Sequence, residues 1–598
     1  MSQTMSRTIR KDSLYDYSDS FRREQTAAFL LDYAKRSKDD ISSYWNKMKS
    51  YYDGNHAINT HTGGFYEEHD LPWRAAQSTD GYIHVETQID PDVPDFEFAA
   101  REDSDTQKAR QRESIVKYII DNNDLEYKNS RNERTLGIYG SAVWKVCWDG
   151  AKKGGFDGDV CIEAPRPEQI FTDPTATDID GCEYIGYVYK MHRQKALRVF
   201  KDDLAMRGMS FEECAENLSA SYTMASSIDS VSYDREDDTV TVTEWWFRQP
   251  KSGKCTQRVF SGGRAKDISY SWKAGDIALC VFVNGREVRY VPKYWASTSF
   301  SMFPFVVYNR IPADKSIWGK SELELLIPLI DAKDRELAFA QLNLAYSSND
   351  IIVAEENAFS DGEIPDNSPG AIWKLRPGMM GKVQRLGNNA GYSSTLYNGC
   401  SYWKSLMEDT TGNFEISQGK EPTSVTTATG IALLNERSQV RKNLKNIDRT
   451  AGFKRLFMLI DATALEYYDD GRIIKIGAAK DNIVFKYTDY AKSEKDGLKS
   501  YIPVLDVVIH AGNSASESKA LTISALNTLM SMNITKDNYV LAKAYVDVLN
   551  IPQRAQINKF LDDRFSGTED EGADKEYEAS GKEHENKKAQ SYSLTEEI

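Results

Sequence analysis

Four groups of side chains in this 598-residue sequence have the types and spacing to do chemistry. Gly319-Lys320-Ser321 matches the end of a phosphate-cradling loop, in which backbone N–H groups wrap a phosphate and the lysine reaches it. The first glycine of that pattern would fall where Asp314 stands, and no apolar strand precedes it, so a helix start is the expected reading. His56, His61 and His69 share a loop with Glu67, Glu68 and Asp70, all of them metal-binding types, but their spacing fits no helix- or hairpin-borne site. Asp178-Ile179-Asp180-Gly181 looks like part of a calcium loop. Ala176 occupies an earlier ligand position and no Glu stands at the twelfth, so that reading fails. The fourth group is a ridge: Arg437, Arg441, Lys445 and Arg449 recur every four residues of a helical stretch, with Lys442, Lys454 and Arg455 nearby. Such a ridge can face solvent, pair with acidic residues of a neighbouring subunit, or touch nucleic-acid phosphates.

Nothing else in the sequence suggests catalysis. There is no G-x-S-x-G elbow, no Cys in a catalytic context and no outstanding carboxylate pair, so an enzyme is not expected, nor a cofactor or metal. The seven cysteines, at 147, 161, 182, 214, 255, 280 and 400, include no two within four residues. That excludes a C-x₂₋₄-C zinc pair, and the odd count fits reduced thiols in a cytosolic compartment. A net charge of −15 argues against gripping nucleic acid over the whole surface, but it allows a protein that lets DNA pass while holding it loosely. The 33 Tyr and 11 Trp suit extended interfaces, because each pairs an apolar body with a polar tip. Met1–Tyr15 lacks the apolar core of a signal peptide, and no run of 18 apolar residues occurs, so a soluble protein made inside the cell, with no membrane partner, is expected.

The elements that must carry these residues follow from periodicity. A helix is expected over 21–52, with Phe29, Tyr33, Ile41, Tyr44, Trp45 and Met48 on its apolar face. Helices near 103–121 and from 127 lead into Gly137-Ile138-Tyr139-Gly140 and then a strand over 141–148. Strand and loop texture covers 160–193, a helix 195–209 and a strand 239–247. Asn284-Gly285 sets a hairpin between 277–283 and 287–291. The first 310 residues thus read as α+β. Beyond them come a helix over 321–349 that must kink or restart at Pro328, a Gly/Pro-rich insert and a second helix over 392–409. A polar loop over 412–427 precedes a helix of about 40 residues from 428, with Gly430 as a possible bend. Strands near 473–476, 483–487 and 504–509 and helices over 517–565 complete the folded part. The last 33 residues hold ten acidic and four basic side chains and should be disordered.

This order of parts resembles the portal proteins (head-to-tail connectors) of tailed bacteriophages, particularly the long portals of short-tailed phages. Local stretches share the likeness: Tyr51-Tyr52-Asp53-Gly54, Tyr139-Gly140-Ser141-Ala142, Asp173-Pro174-Thr175-Ala176 with Cys182-Glu183-Tyr184, and Thr427-Ala428-Thr429-Gly430-Ile431-Ala432-Leu433. The resemblance implies an α+β ring-forming subunit. It divides the chain into an α/β wing (1–320), a first stem helix (321–349), a clip (350–391), a second stem helix (392–411) and a tunnel loop (412–427). A long kinked wing helix with wing strands (428–512), a helical crown (513–565) and an acidic tail (566–598) follow.

The function it implies is a closed ring, dodecameric in the resembled family, at the capsid portal vertex of the virion, assembled in the host cytoplasm. Double-stranded DNA would pass through its channel. The terminase large subunit and then a head-tail adaptor would dock on the clip, at Glu363, Asp366, Trp373, Arg376 and Lys382. Major capsid and scaffolding proteins are further implied partners. Asn413, Glu415, Gln418, Lys420 and Glu421 of the tunnel loop, polar and mixed in sign, would touch DNA loosely. The competing readings are a capsid- or scaffold-binding protein without a channel, and a terminase-like nucleic-acid enzyme.

Overall fold

The computed structural model of the chain describes residues 17–56, 79–101, 105–153, 157–206, 239–261, 264–295, 300–348, 351–355, 358–359, 374–386, 394–412, 428–468, 472–475, 482–485 and 505–509, with single positions 542 and 561. It is α+β, as the sequence suggests. Two compact units are distinguished. One comprises residues 1–93 and 97–508; the other comprises 94–96 and 509–598 and is described only at 94–96, 509, 542 and 561.

Helix α1 (Ser20–Tyr52) begins where the Asp19 carboxylate accepts the Arg22 N–H at 2.8 Å, and it stops at Asp53-Gly54 with Gly54 at a φ of 70°. Next come α2 (Asp80–Glu86), β1 (Phe96–Ala100), α3 (Thr106–Asn122) and α4 (Leu125–Tyr139). Gly140 ends α4 at a φ of +80°, and a Cβ there would lie 2.3 Å from the Lys320 carbonyl carbon. Only glycine meets both demands.

The chain then enters β2 (Ser141–Lys153), β3 (Asp157–Glu163), β4 (Ile170–Thr172), β5 (Tyr184–His192), α5 (Arg193–Met206) and β6 (Thr239–Arg248). Three hairpins follow: β7 (Gly253–Ser261) with β8 (Arg264–Trp272), β9 (Ile277–Val283) with β10 (Arg286–Val291), and, after β11 (Phe305–Asn309), β12 (Ile311–Ala313) with β13 (Ser316–Lys320). The β9–β10 turn has Asn284 and Gly285 at φ values of 48° and 82°, the left-handed pair expected from Asn-Gly. An antiparallel sheet of five strands runs β10-β9-β6-β5-β4, and one of three runs β11-β2-β3. The β7–β8 hairpin is not anticipated by the sequence reading, because charged residues interrupt its alternation, and among the described residues its strands pair with each other alone.

Two cores result. Leu30, Leu31 and Ala34 of α1 pack on Tyr184, Trp245, Phe247 and Phe282 of the larger sheet. Phe29 and Tyr33, expected on the buried face of α1, are exposed instead. The sheet already presents bulky rings, so this part of the helix meets it through Leu30, Leu31 and Ala34 and turns Phe29 and Tyr33 outward, while Trp45 and Tyr51 further along are buried. Lys38 on the buried face donates to the carbonyls of Pro167 (2.6 Å), Glu168 (3.2 Å) and Ile170, which satisfies its ammonium and ties α1 to β4. Arg23 does the same for β10 through a two-pronged bond to Glu287 at 2.6 and 2.9 Å.

The remainder is α6 (Leu323–Ser348), β14 (Ile351–Ala354), β15 (Val383–Leu386), α7 (Ser394–Thr411), α8 (Ala428–Tyr467), β16 (Arg472–Lys475), β17 (Asn482–Phe485) and β18 (Leu505–Ile509). Gly319 and Lys320 belong to β13, and the helix starts two residues later than expected. Ser321 caps it, accepting the Leu323 N–H at 3.1 Å and donating to the Gly137 carbonyl at 2.6 Å. Pro328 lies inside α6, which continues through it as one helix. The second core wraps α8: Phe453, Leu456, Phe457 and Ile460 are buried, and Gly452 lets the helix approach the Tyr308 ring closely.

Candidate functional site

Helix–hairpin–helix is the most distinctive arrangement in the molecule. Helices α6 and α7 pack on each other, and β14 and β15 pair antiparallel between them, Ile351 opposite Leu386 and Ala354 opposite Val383. A Cβ on Gly399 would lie 1.9 Å from the Glu336 carboxylate, so glycine is what lets the side chain of α6 reach across α7. That carboxylate accepts the Trp403 indole N–H at 2.6 Å.

The foot of α6 is fixed to the α+β body by charge. Glu322, buried just before the helix, accepts from Arg310 at 2.9 Å and from Gln88 at 3.1 Å, and it also meets the His84 ring at 3.1 Å. One turn or more along, Asp331 accepts from the Tyr51 hydroxyl at 2.7 Å, Lys333 pairs with Asp80, and Asp334 meets His56 at 2.9 Å. His56 is therefore an α6 anchor, stacked on Tyr51 with ring centroids 4.2 Å apart. His61 and His69 lie outside the described residues. The partners of Asp331, Lys333 and Asp334, from 253 to 280 residues away in sequence, leave no local signal.

Helix α8 has a C-terminal half held as firmly. Arg449 is buried and donates to Glu133 at 2.7 Å and to the carbonyls of Asp90 and Asp92 at 3.1 and 2.8 Å. Burial works to lower the Arg449 pKa, yet Glu133 and Asp90 together hold it above its ordinary value. The Asp448 carboxylate accepts the Asn309 N–H at 2.7 Å. Arg455 pairs with Asp180, and Arg112 of α3 forms a buried two-pronged pair with Asp461. Asp178 accepts the Gly181 N–H at 2.6 Å, so the carboxylates of the calcium-like stretch serve a turn and an ion pair.

Of the four ridge residues, the structure describes the side chain of Arg449. Arg449 is committed inside the subunit, whereas Arg437, Arg441 and Lys445 lie on the N-terminal part of α8, and their side chains are outside the described residues. Spacing alone could not reveal this, since all four share one helix face. Asn413, Glu415, Gln418, Lys420 and Glu421 also lie outside the described residues, as do Glu363, Asp366 and Trp373. Arg376 is exposed at a turn whose backbone bonds Ala358 and Met379, and exposed Lys382 pairs with Glu355 at 2.5 Å. Among the described residues no helix is long and apolar enough to cross a membrane.

Comparison with known proteins gives one family. The model described as "Phage P22-like portal protein" matches residues 85–595, which takes in α3 to α8 and nearly all of the chain beyond them. No curated protein matches the chain.

Proposed function

We propose a function from one premise: the chain belongs to the phage P22-like portal protein family. Membership makes it a structural protein of the phage capsid, concerned with capsid assembly and DNA packaging rather than with catalysis. It also implies self-assembly and interaction with capsid and DNA.

The finer reading is as follows. Copies of the chain close into a ring, with α6 and α7 as the stem and the β14–β15 insert as the clip on which the terminase and then the adaptor dock. Residues 412–427 form a loop over the bore, 513–565 a helical crown, and α8 links the loop to the wing. The observation that carries this reading is the family match over 85–595 around the order helix, insert, helix, loop, long helix. Two features support it. Both long helices rooted in the α+β body, α6 and α8, are held there by ion pairs, as levers in a ring must be. The negative net charge suits a conduit that must not bind a sliding polyanion tightly.

The test is a chain lacking 412–427, assembled and imaged end-on, with packaging measured in parallel. Rings of normal symmetry with lost packaging or DNA retention are expected. Unaffected packaging would overturn the loop assignment, and a chain that stays monomeric at high concentration would overturn the ring.

A further inference from the structure

Strand pairing creates a cluster that sequence spacing conceals. In the β2–β3 ladder Cys147 stands directly opposite Cys161, and the next same-face pair is Lys145 opposite Glu163. Because side chains alternate along a strand, Cys161 and Glu163 point the same way, and so do Cys147 and Lys145. Two sulfurs and one carboxylate oxygen consequently lie within 4.8 Å of one another. Tetrahedral zinc, with bonds of about 2.0–2.3 Å, needs its ligand atoms roughly 3.3–3.8 Å apart, so side-chain rotations alone can close this set.

We propose that Cys147, Cys161 and Glu163 bind a thiophilic divalent cation of the zinc class, with water as the fourth ligand. Both cysteines are half-buried and Glu163 is exposed, which leaves a side open for entry and for that water. Two thiolates and a carboxylate would face the cation, beside the Lys145 ammonium, which lies 3.3 Å from Glu163 and pairs with Glu244 at 2.8 Å. A carboxylate has two oxygens, so it can ligate with one and keep Lys145 on the other.

The consequence is structural. The same hairpin seats the end of α8, where Trp148 stacks on Tyr467 at 5.4 Å and Tyr468 donates to Asp159 at 2.8 Å. A metal across β2 and β3 would stiffen that seat by binding the folded state only.

The experiment uses the full chain, stripped of metal and kept reduced, titrated with Cd²⁺ while the thiolate-to-metal absorption is followed. A band saturating at one ion per chain, competed away by Zn²⁺, is expected, together with a raised melting temperature. Cys147→Ser with Cys161→Ser should abolish the band, and Glu163→Gln should weaken binding about tenfold or more. The Glu163 variant tests the site even if the double variant folds poorly, since its side chain is exposed. Equal binding by the double variant would place the metal on other cysteines and overturn the proposal. So would absence of a band.

Discussion

The Arg449 guanidinium donates to Glu133 Oε1 at 2.7 Å, with each side chain under a tenth exposed, and so joins the long helix α8 to α4 across 316 residues of sequence. A buried pair of this kind need not stabilise more than an apolar substitute would, but it is costly to break from one side.

Arg449→Leu should therefore destabilise the chain by about 3–5 kcal/mol, because Glu133 is left charged and unmatched in the interior. The double variant Arg449→Leu with Glu133→Leu should recover most of the loss. Thermal melting of the two variants checks this; equal losses would mean that packing rather than charge dominates.

Gly140→Ala should be among the most damaging single changes, costing more than about 2 kcal/mol, since it combines left-handed strain with a backbone collision at Lys320. Gly150→Ala makes the control. Its Cβ meets nothing within 4 Å, and a shift within about 0.5 kcal/mol is expected. Soluble yield and melting temperature report both.

Acid should weaken the contacts that Glu86 and Asp180 make. The hydrogen bond from Arg134 holds Glu86 below the ordinary carboxylate range, and Arg455 does so for Asp180. A depressed folded-state value means that the stabilisation is fully present above the unfolded value, near pH 4, and is lost as pH falls through the folded one. Melting temperature should therefore fall below about pH 4, and less steeply in Glu86→Gln. Asp180 is well exposed, so added salt should shrink its share.

Arg441→Glu with Lys445→Glu should impair ring assembly or DNA retention, because both residues lie on the part of α8 that precedes its anchored half. Electron micrographs of the oligomer and packaging yield read the two outcomes separately. Normal rings with normal packaging would make these side chains a solvated face.

The order of elements was legible in the sequence because local physics sets it. Asn284-Gly285 dictates its turn by left-handed preference, and alternating or four-residue periodicity located α1, α8 and most strands of the larger sheet. The helices of 323–348, 394–411 and 428–467 and the paired strands between the first two stand where the pattern placed them, give or take three residues. Tertiary structure decided what each face meets. It turned Phe29 and Tyr33 outward, drew Arg449 inside against Glu133, and made His56 a partner of Asp334. It also set Cys147 against Cys161, a pair fourteen residues apart that no spacing rule joins. These outcomes depend on partners tens to hundreds of residues away, where no periodicity reaches, and only the closing of the sheets and the docking of α8 bring them together.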